Sequence, residues 1–442
     1  MSGINKKNLL LGFSLLSLLF AAFSEAEEPR LLLKNAAMIV TMDSSVGESE
    51  LGLIENGDVL IVGSHIAKVG QDIQDKSAQK LDLTGRIVLP GFVDAHNHLW
   101  SSMLRGCGSG GDLYWWLNHC QYPLLEEPVP VETVYGGVRL SAYDLVNTGV
   151  TTTLDWAGGP SPEFTDNNLR ALEDAGIRFV YSAFRQVADE AAMQDLEVIR
   201  QRLENNPLGT LQVGPFLINE EPFRSSFFAL TDFAEKHKIR IHVHLRENAG
   251  DKELGQLAML READVLGPRL QVAHAIHLDD EELEELAGAG VVAVHNPLSN
   301  MRLGSGIMRL HEMLEAGIPV ALGLDGGTND TSDMFNTMRI AVGLQRAKLR
   351  RTDIRPTITE VLRMATIGGA GVLGLEQQVG SLIPGKQADI IALNPDMVNF
   401  APRFDWVSQI VLNAQPANVE WVFVAGRTLK RQGKLVGDVG SV

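Results

Sequence analysis

The sequence predicts an α/β fold, a (β/α)8 TIM barrel carrying a small β-sandwich built from both chain ends. Three observations predict it. Residues 89–370 alternate short apolar strands with helical patterns, and eight such strands can be counted. Polar residues recur where those strands end, at His96 with His98, Asp155, His244, His274, His295 and Asp325. Short alternating strands of similar character stand before and after this region.

Composition bounds the partners. A chain of 442 residues with 45% hydrophobic content has material for a large core and more than one domain. A net charge of -17 without a long basic run argues against nucleic acid and suits a small neutral or cationic molecule. With only two cysteines, Cys107 and Cys120, no zinc-thiolate or disulfide-scaffold reading is available. Those two could pair or stay free.

In chain order, residues 1–26 read as a signal peptide. Lys6 and Lys7 precede the apolar run Leu9 to Phe23, and Ser24-Glu25-Ala26 offers small residues for cleavage. The mature chain is then expected from Glu27, exported to the periplasm or secreted, with no stable membrane insertion. A retained anchor is the alternative. Lipoprotein attachment is excluded, because no cysteine follows the run.

Residues 27–88 form the first part of the expected sandwich, with strands at Ala37–Thr41, Asp58–Val62 and from Ile66, separated by turns at Asn56-Gly57 and Gly63-Ser64. Residues 371–442 supply the second part, through Ala388–Leu393 and a strand from Val419. The two ends are expected to pair.

The barrel opens after Pro90-Gly91, which breaks the apolar run Ile87–Leu89 before Phe92–Ala95. Residues two apart on a strand share a face, so His96 and His98 point together and make half of a metal site. Further strands are expected at Thr151–Asp155, Arg178–Ser182, Leu211–Phe216, Ile239–His244, Leu270–His274, Val291–His295 and Pro319–Asp325. Between them lie helical patterns such as Glu281–Gly290, whose glycines mark its end.

Each strand end suggests a role. His242 and His244 share one face, and His244 is preferred as the ligand because His242 lies deeper, as core or behind the ligands. Glu247, three residues on, is placed to take a proton from an attacking water and pass it to a leaving group. Its bland reading is a favourable charge opening the next helix. His274 ends its strand, whereas His277 reads as a loop residue. Asp325, followed by Gly326-Gly327, is expected to bind metal and orient water; its bland reading is a helix cap.

These residues, in this order, resemble the amidohydrolase superfamily, in particular its cytosine, guanine and S-adenosylhomocysteine deaminases and triazine hydrolases. The likeness rests on Leu89-Pro-Gly-Phe-Val-Asp-Ala-His-Asn-His98, His244-Leu-Arg-Glu247, Ala273-His274, the stretch His295 to Gly306, Leu322-Gly-Leu-Asp325-Gly and Gly380 to Asp389. It implies one divalent metal ion per chain, zinc or iron, held by His96, His98, His244 and Asp325, with water in the open position. It further implies Glu247 as proton shuttle and His274 as the hydrogen-bond donor to the reacting centre. Asp325 then counts among both the ligands and the catalytic residues. The fourth strand lacks the lysine that bridges two metals in other members, which favours one ion. The implied reaction is hydrolysis of a carbon–nitrogen bond other than a peptide bond, foremost deamination of an amino-substituted heterocycle.

His295, Asn296 and Asn300 are expected to shape the substrate pocket. Trp115 and Trp116 are expected either to stack on a planar ring or to pack against the barrel rim. The S-adenosylhomocysteine deaminases carry a histidine after Gly-Pro on the fourth strand; here Gly214-Pro215 is followed by Phe216. Hydrolysis of a cyclic amide, or displacement of a ring chlorine or alkylamine, is the enzymatic alternative. A metal-binding protein without turnover is the other, and it would have no need of Glu247 and His274. A homo-oligomer is compatible with all of these readings.

Overall fold

Short apolar runs buried on both faces build the sheet at the start of the chain. In this computed structural model the described residues are 28–437 apart from 109, 127–128, 160 and 328–330. The expected signal segment, residues 1–26, lies outside them. Strands β1 (Arg30–Val40), β2 (Leu53–Val62), β3 (His65–Gly70), β4 (Gln79–Asp82) and β5 (Ile87–Pro90) come first. β1 runs antiparallel to β2 and parallel to β4 and β5. Proline ends β5, and the chain leaves the sheet through Gly91.

The next eight strands are parallel and lie side by side in chain order. They are β6 (Phe92–Asn97), β7 (Val150–Ala157), β8 (Arg178–Ala183), β9 (Gly209–Val213), β10 (Ile241–Leu245), β11 (Leu270–His274), β12 (Val292–His295) and β13 (Val320–Leu322). Amphipathic helices separate them and cover the outside. The helix Asp280–Ala289 shows why such segments form where they do. Asp279 and Glu282 make a reciprocal capping box at its start, and Gly290, at φ 76°, ends it in left-handed backbone. Inside the barrel, Val93, Leu154, Val180, Val294 and Ala321 pack on Ala370, Val372 and Leu373 of the helix Ile367–Leu373.

The tail then returns to the first sheet. β14 (Ile390–Leu393) pairs antiparallel with β5 and with β15 (Val419–Val424); β16 (Arg427–Arg431) and β17 (Lys434–Leu435) follow. Both chain ends thus enter one nine-stranded mixed sheet. Its faces sort by parity. Ile87, Leu89, Ile391, Leu393, Val422 and Val424 join the core around the barrel, while Val88, Ile390, Ala392, Trp421 and Phe423 form a second core on the other face. Sheet and barrel are also tied by charge. Arg178 at the start of β8 makes a two-pronged contact with Asp389, at 2.8 and 3.1 Å, and both side chains are buried.

Two strands end earlier than their apolar runs. β9 stops at Val213 rather than reaching Phe216, and β13 stops at Leu322, short of Asp325. The second difference has a clear cause, because the chain there closes the barrel instead of continuing the ladder. The amides of Leu324 and Asp325 both donate to the carbonyl of His96, at 3.1 and 2.9 Å. Asp94 Oδ1 accepts from the Leu324 amide at 2.8 Å, and its Oδ2 from Asn97 Nδ2 and Thr153 Oγ1. Asn97 Oδ1 in turn accepts from the amides of His98 and Gly326, at 2.8 and 2.9 Å. A Cβ on residue 326 would stand 2.3 Å from Asn97 Oδ1, so this junction needs glycine.

An Asp94→Asn variant tests the junction, because an amide must turn N–H groups toward donors that now meet a carboxylate. Each buried donor left unpaired costs about 1–3 kcal/mol. The thermal unfolding midpoint should fall for Asp94→Asn, and by less for Thr153→Val, which removes one donor. An unchanged midpoint in Asp94→Asn contradicts the role given to this carboxylate.

Candidate metal centre and active site

The strand ends bring their imidazoles into one cluster. His96 stands one residue before the end of β6 and is fully buried, while His98 lies just beyond the strand, held by the Asn97 side chain. His98 Nδ1 donates to the Trp156 carbonyl at 3.1 Å, which leaves Nε2 as the bare nitrogen. His98 Nε2 stands 3.4 Å from His244 Nε2 on β10. Asp325 Oδ1 lies 3.4 Å from the Nε2 atoms of both His96 and His98. Ligand atoms of His96, His98 and His244 fall within 4.8 Å of one another, as do those of His96, His274 and Asp325.

Among the described residues Asp325 caps no helix, since the next one, Met334–Leu349, is capped by Asp333. Asp325 and His274 stand in left-handed backbone, at φ 52° and 68°. Each such position costs a non-glycine residue about 1–3 kcal/mol, and the surrounding hydrogen bonds must hold it.

Electrostatics favour neutral rings. Burial lowers the pKa of His96 and His274 to about 3 and that of His244 well below its ordinary value, with the neighbouring imidazoles adding to the effect at His244. Neutral imidazoles are the form that binds a metal. His96 Nε2 is buried and makes no hydrogen bond among the described residues. Three imidazole nitrogens and a carboxylate oxygen around one point are a donor set suited to zinc or a similar divalent ion.

Glu247 lies beside this cluster, its Oε2 3.6 Å from His274 Nε2. Burial first, then the Asp325 and Asp251 carboxylates, push its carboxyl well above the ordinary range. The turn that follows, Ala249–Leu254, is capped reciprocally by Asn248 and Asp251, so that duty does not fall to Glu247. His274 Nδ1 accepts from the amide nitrogens of Asn300 and Asn296, at 2.9 and 3.3 Å. The proton of neutral His274 therefore sits on Nε2, as a donor facing the cluster.

The remaining expected residues fall into different surroundings. Asn296 and Asn300 orient His274 as just described. His295 is buried at the end of β12, and neither ring nitrogen has a hydrogen-bond partner among the described residues. Trp115 is 42% exposed and stacks on His119, with ring centroids 4.2 Å apart. Trp116 is buried against Cys120 and Leu303. A disulfide joins Cys107 to Cys120 around this segment. His277, read as a loop residue, lies 2.7 Å from the Ser305 carbonyl.

One group was not singled out from the sequence. Trp156 packs edge-on against His244, with centroids 4.7 Å apart, and continues into Phe184, Phe216 and Phe223. These aromatics line the side of the cluster formed by β7 to β9 and the loops after them. The signal was Trp156 following Asp155 at a strand end, where an aromatic reads as ordinary core.

Comparison with known proteins agrees with this geometry. A model of the amidohydrolase family matches residues 87–429. The 5-methylthioadenosine/S-adenosylhomocysteine deaminase of Syntrophobacter fumaroxidans is 31% identical over 426 residues, covering 92% of this chain and 94% of that protein. The 5'-deoxyadenosine deaminase of Methanothermobacter thermautotrophicus is 32% identical over 401 residues, covering 87% and 92%. Among solved structures, the zinc-bound adenosine deaminase of Xanthomonas campestris shares the fold with a TM-score of 0.85 at 24% identity, over 94% of this chain and 96% of that one. With full-length relatives above 30% identity and a family model spanning the barrel, the chain belongs to the amidohydrolase family.

Proposed function

We propose that this protein is a metal-dependent deaminase of an amino-substituted purine or related heterocycle. The observation that carries the reading is the placement of Glu247 and the Nε2–H of His274 beside a cluster of neutral imidazoles and one carboxylate. Deaminases of 5'-modified adenosines are similar over nearly the whole chain, and they make an adenosine-type substrate the first choice. His96, His98, His244 and Asp325 would hold one divalent ion, zinc or iron. A zinc-bound structure of the same fold supports zinc as the first candidate. That ion would supply the Lewis acidity that makes water nucleophilic near neutral pH.

The protein's own residues then account for the proton traffic. Glu247 takes a proton from the attacking water, whose oxygen bonds to the ring carbon bearing the amine. The Nε2–H of His274 donates to that oxygen as charge develops on it. Glu247 returns the proton to the amine, the carbon–nitrogen bond breaks and ammonia leaves, and the remaining hydroxyl proton passes to the ring nitrogen that took up the electron pair on attack, which leaves a ring carbonyl. One carboxylate serves as base and then as acid, a task suited to the raised pKa that burial gives it.

Export is also part of the proposal. Lys6-Lys7, the apolar run to Phe23 and Ser24-Glu25-Ala26 support a cleaved signal, and the Cys107–Cys120 disulfide suits an oxidising compartment. No helix among the described residues is long and apolar enough to cross a membrane.

Three experiments test these readings. Zinc-loaded protein incubated with a panel of amino-purines, 5'-modified adenosines and aminotriazines should release ammonia from at least one. Release of chloride from a chlorinated ring, with no ammonia from any amine, would favour the dechlorinating alternative. On the best substrate, Glu247→Gln should lower kcat by at least about a hundredfold. Wild-type kcat in that variant would place the proton shuttle elsewhere. Sequencing the exported protein should show Glu27 at the N-terminus, and an intact Lys6–Phe23 segment in the membrane fraction would contradict cleavage.

A further inference from the structure

Behind the metal-facing histidines runs a chain of buried polar contacts whose proton positions can be deduced one at a time. It starts at the helix Ile367–Leu373, inside the barrel, whose last carbonyls have no partner within the helix. The Val372 carbonyl accepts a hydrogen bond from Gln271 Nε2 on β11, at 2.6 Å. A carbonyl can only accept, so the nitrogen of the Gln271 amide faces Val372 and its oxygen faces the other way.

That oxygen, Gln271 Oε1, lies 3.0 Å from His242 Nδ1 on β10. The β10–β11 register sets His242 directly beside Gln271, so the contact is built into the ladder. An amide oxygen can only accept, and Nδ1 of His242 therefore carries the proton. His242 is fully buried, and no carboxylate is hydrogen-bonded to it among the described residues, so a charged ring would be costly. In the neutral ring the bare nitrogen is then Nε2. This atom stands 2.8 Å from His96 Nδ1, with the two rings stacked 16° from parallel. His96 must donate, its proton sits on Nδ1, and its Nε2 lone pair faces Asp325 at 3.4 Å.

We infer that His242 and Gln271 are positioning residues that transmit the direction of the Val372 carbonyl to His96 and fix the tautomer in which His96 can bind a metal. The inference rests on reading His96 as a ligand. Without the relay, His96 could place its proton on Nε2, aimed at Asp325, and would have to lose it before binding an ion. Outer partners of this kind are worth about 10–100-fold in metal affinity. His98 is fixed in the same sense by the Trp156 carbonyl, but in one step.

The test reads the tautomer and the affinity separately. In metal-free wild-type protein with nitrogen-15 histidines, long-range proton–nitrogen correlation should show His96 Nδ1 protonated and Nε2 bare. The signal is assigned by its loss in His96→Gln. Zinc affinity, measured by competition with a chromophoric chelator, should fall about 10–100-fold in His242→Phe and in Gln271→Met. His242→Gln offers an oxygen to His96 and an N–H to Gln271, so its affinity should stay close to the wild-type value. A proton on His96 Nε2 in the wild type overturns the inference, whether or not His242→Phe folds. So does a folded His242→Phe that binds zinc as tightly as wild type. Absence of zinc binding by the wild type would overturn the metal reading alone, because the metal-free tautomer still decides the relay.

Discussion

The structure depends most on the junction where β13 comes round to β6. A parallel barrel must close by hydrogen bonding its last strand to its first, and here the closing groups are also functional. The His96 carbonyl accepts the amides of both Leu324 and Asp325. One peptide group thereby sets the distance between His96 and the Asp325 carboxylate. Asp94 and Asn97 lock the same junction, and glycine at 323 and 326 leaves room for the side-chain oxygens of Asn296 and Asn97. At Gly323 a Cβ would stand 2.1 Å from Asn296 Oδ1. Fold stability and site geometry therefore share the same hydrogen bonds.

Around that junction the site is made of groups that other groups have already oriented. Asn296 and Asn300 leave His274 its Nε2–H to donate, the Trp156 carbonyl holds Nδ1 of His98, and His242 Nε2 stands 2.8 Å from His96 Nδ1. Burial keeps His96, His242, His244 and His274 neutral where an exposed histidine would titrate near neutral pH. Rings that are neutral and fixed in tautomer need little rearrangement to receive a cation. The same burial acts in the opposite sense on Glu247, favouring the protonated form that a leaving amine requires.

Much of this was legible in the sequence, because it follows from periodicity and from strand ends. Eight apolar runs with polar residues at their ends predicted the barrel, its mouth and the convergence of His96, His98, His244, His274 and Asp325. Pairing of the two chain ends was also legible, since neither end could bury both faces of a sheet alone. What escaped depends on contacts between distant segments or on backbone handedness. The left-handed conformations of His274 and Asp325 have no local signature in residues that usually avoid them. The contacts of Asn296 and Asn300 with His274 join different strand ends, so spacing along the chain could not reveal them. Trp115 and Trp116 are adjacent in sequence, yet one is exposed and the other packed in a small core beside the disulfide.

The central claim is that four side chains from β6, β10 and the turn after β13 converge on a single ion. Metal analysis of exhaustively dialysed protein tests it most directly, with the Asp325→Ala, His244→Ala double variant measured alongside. The account predicts close to one equivalent of zinc or iron in the wild type and loss of that equivalent in the double variant. Two tightly held equivalents in the wild type, or a full equivalent retained by a folded double variant, would contradict it.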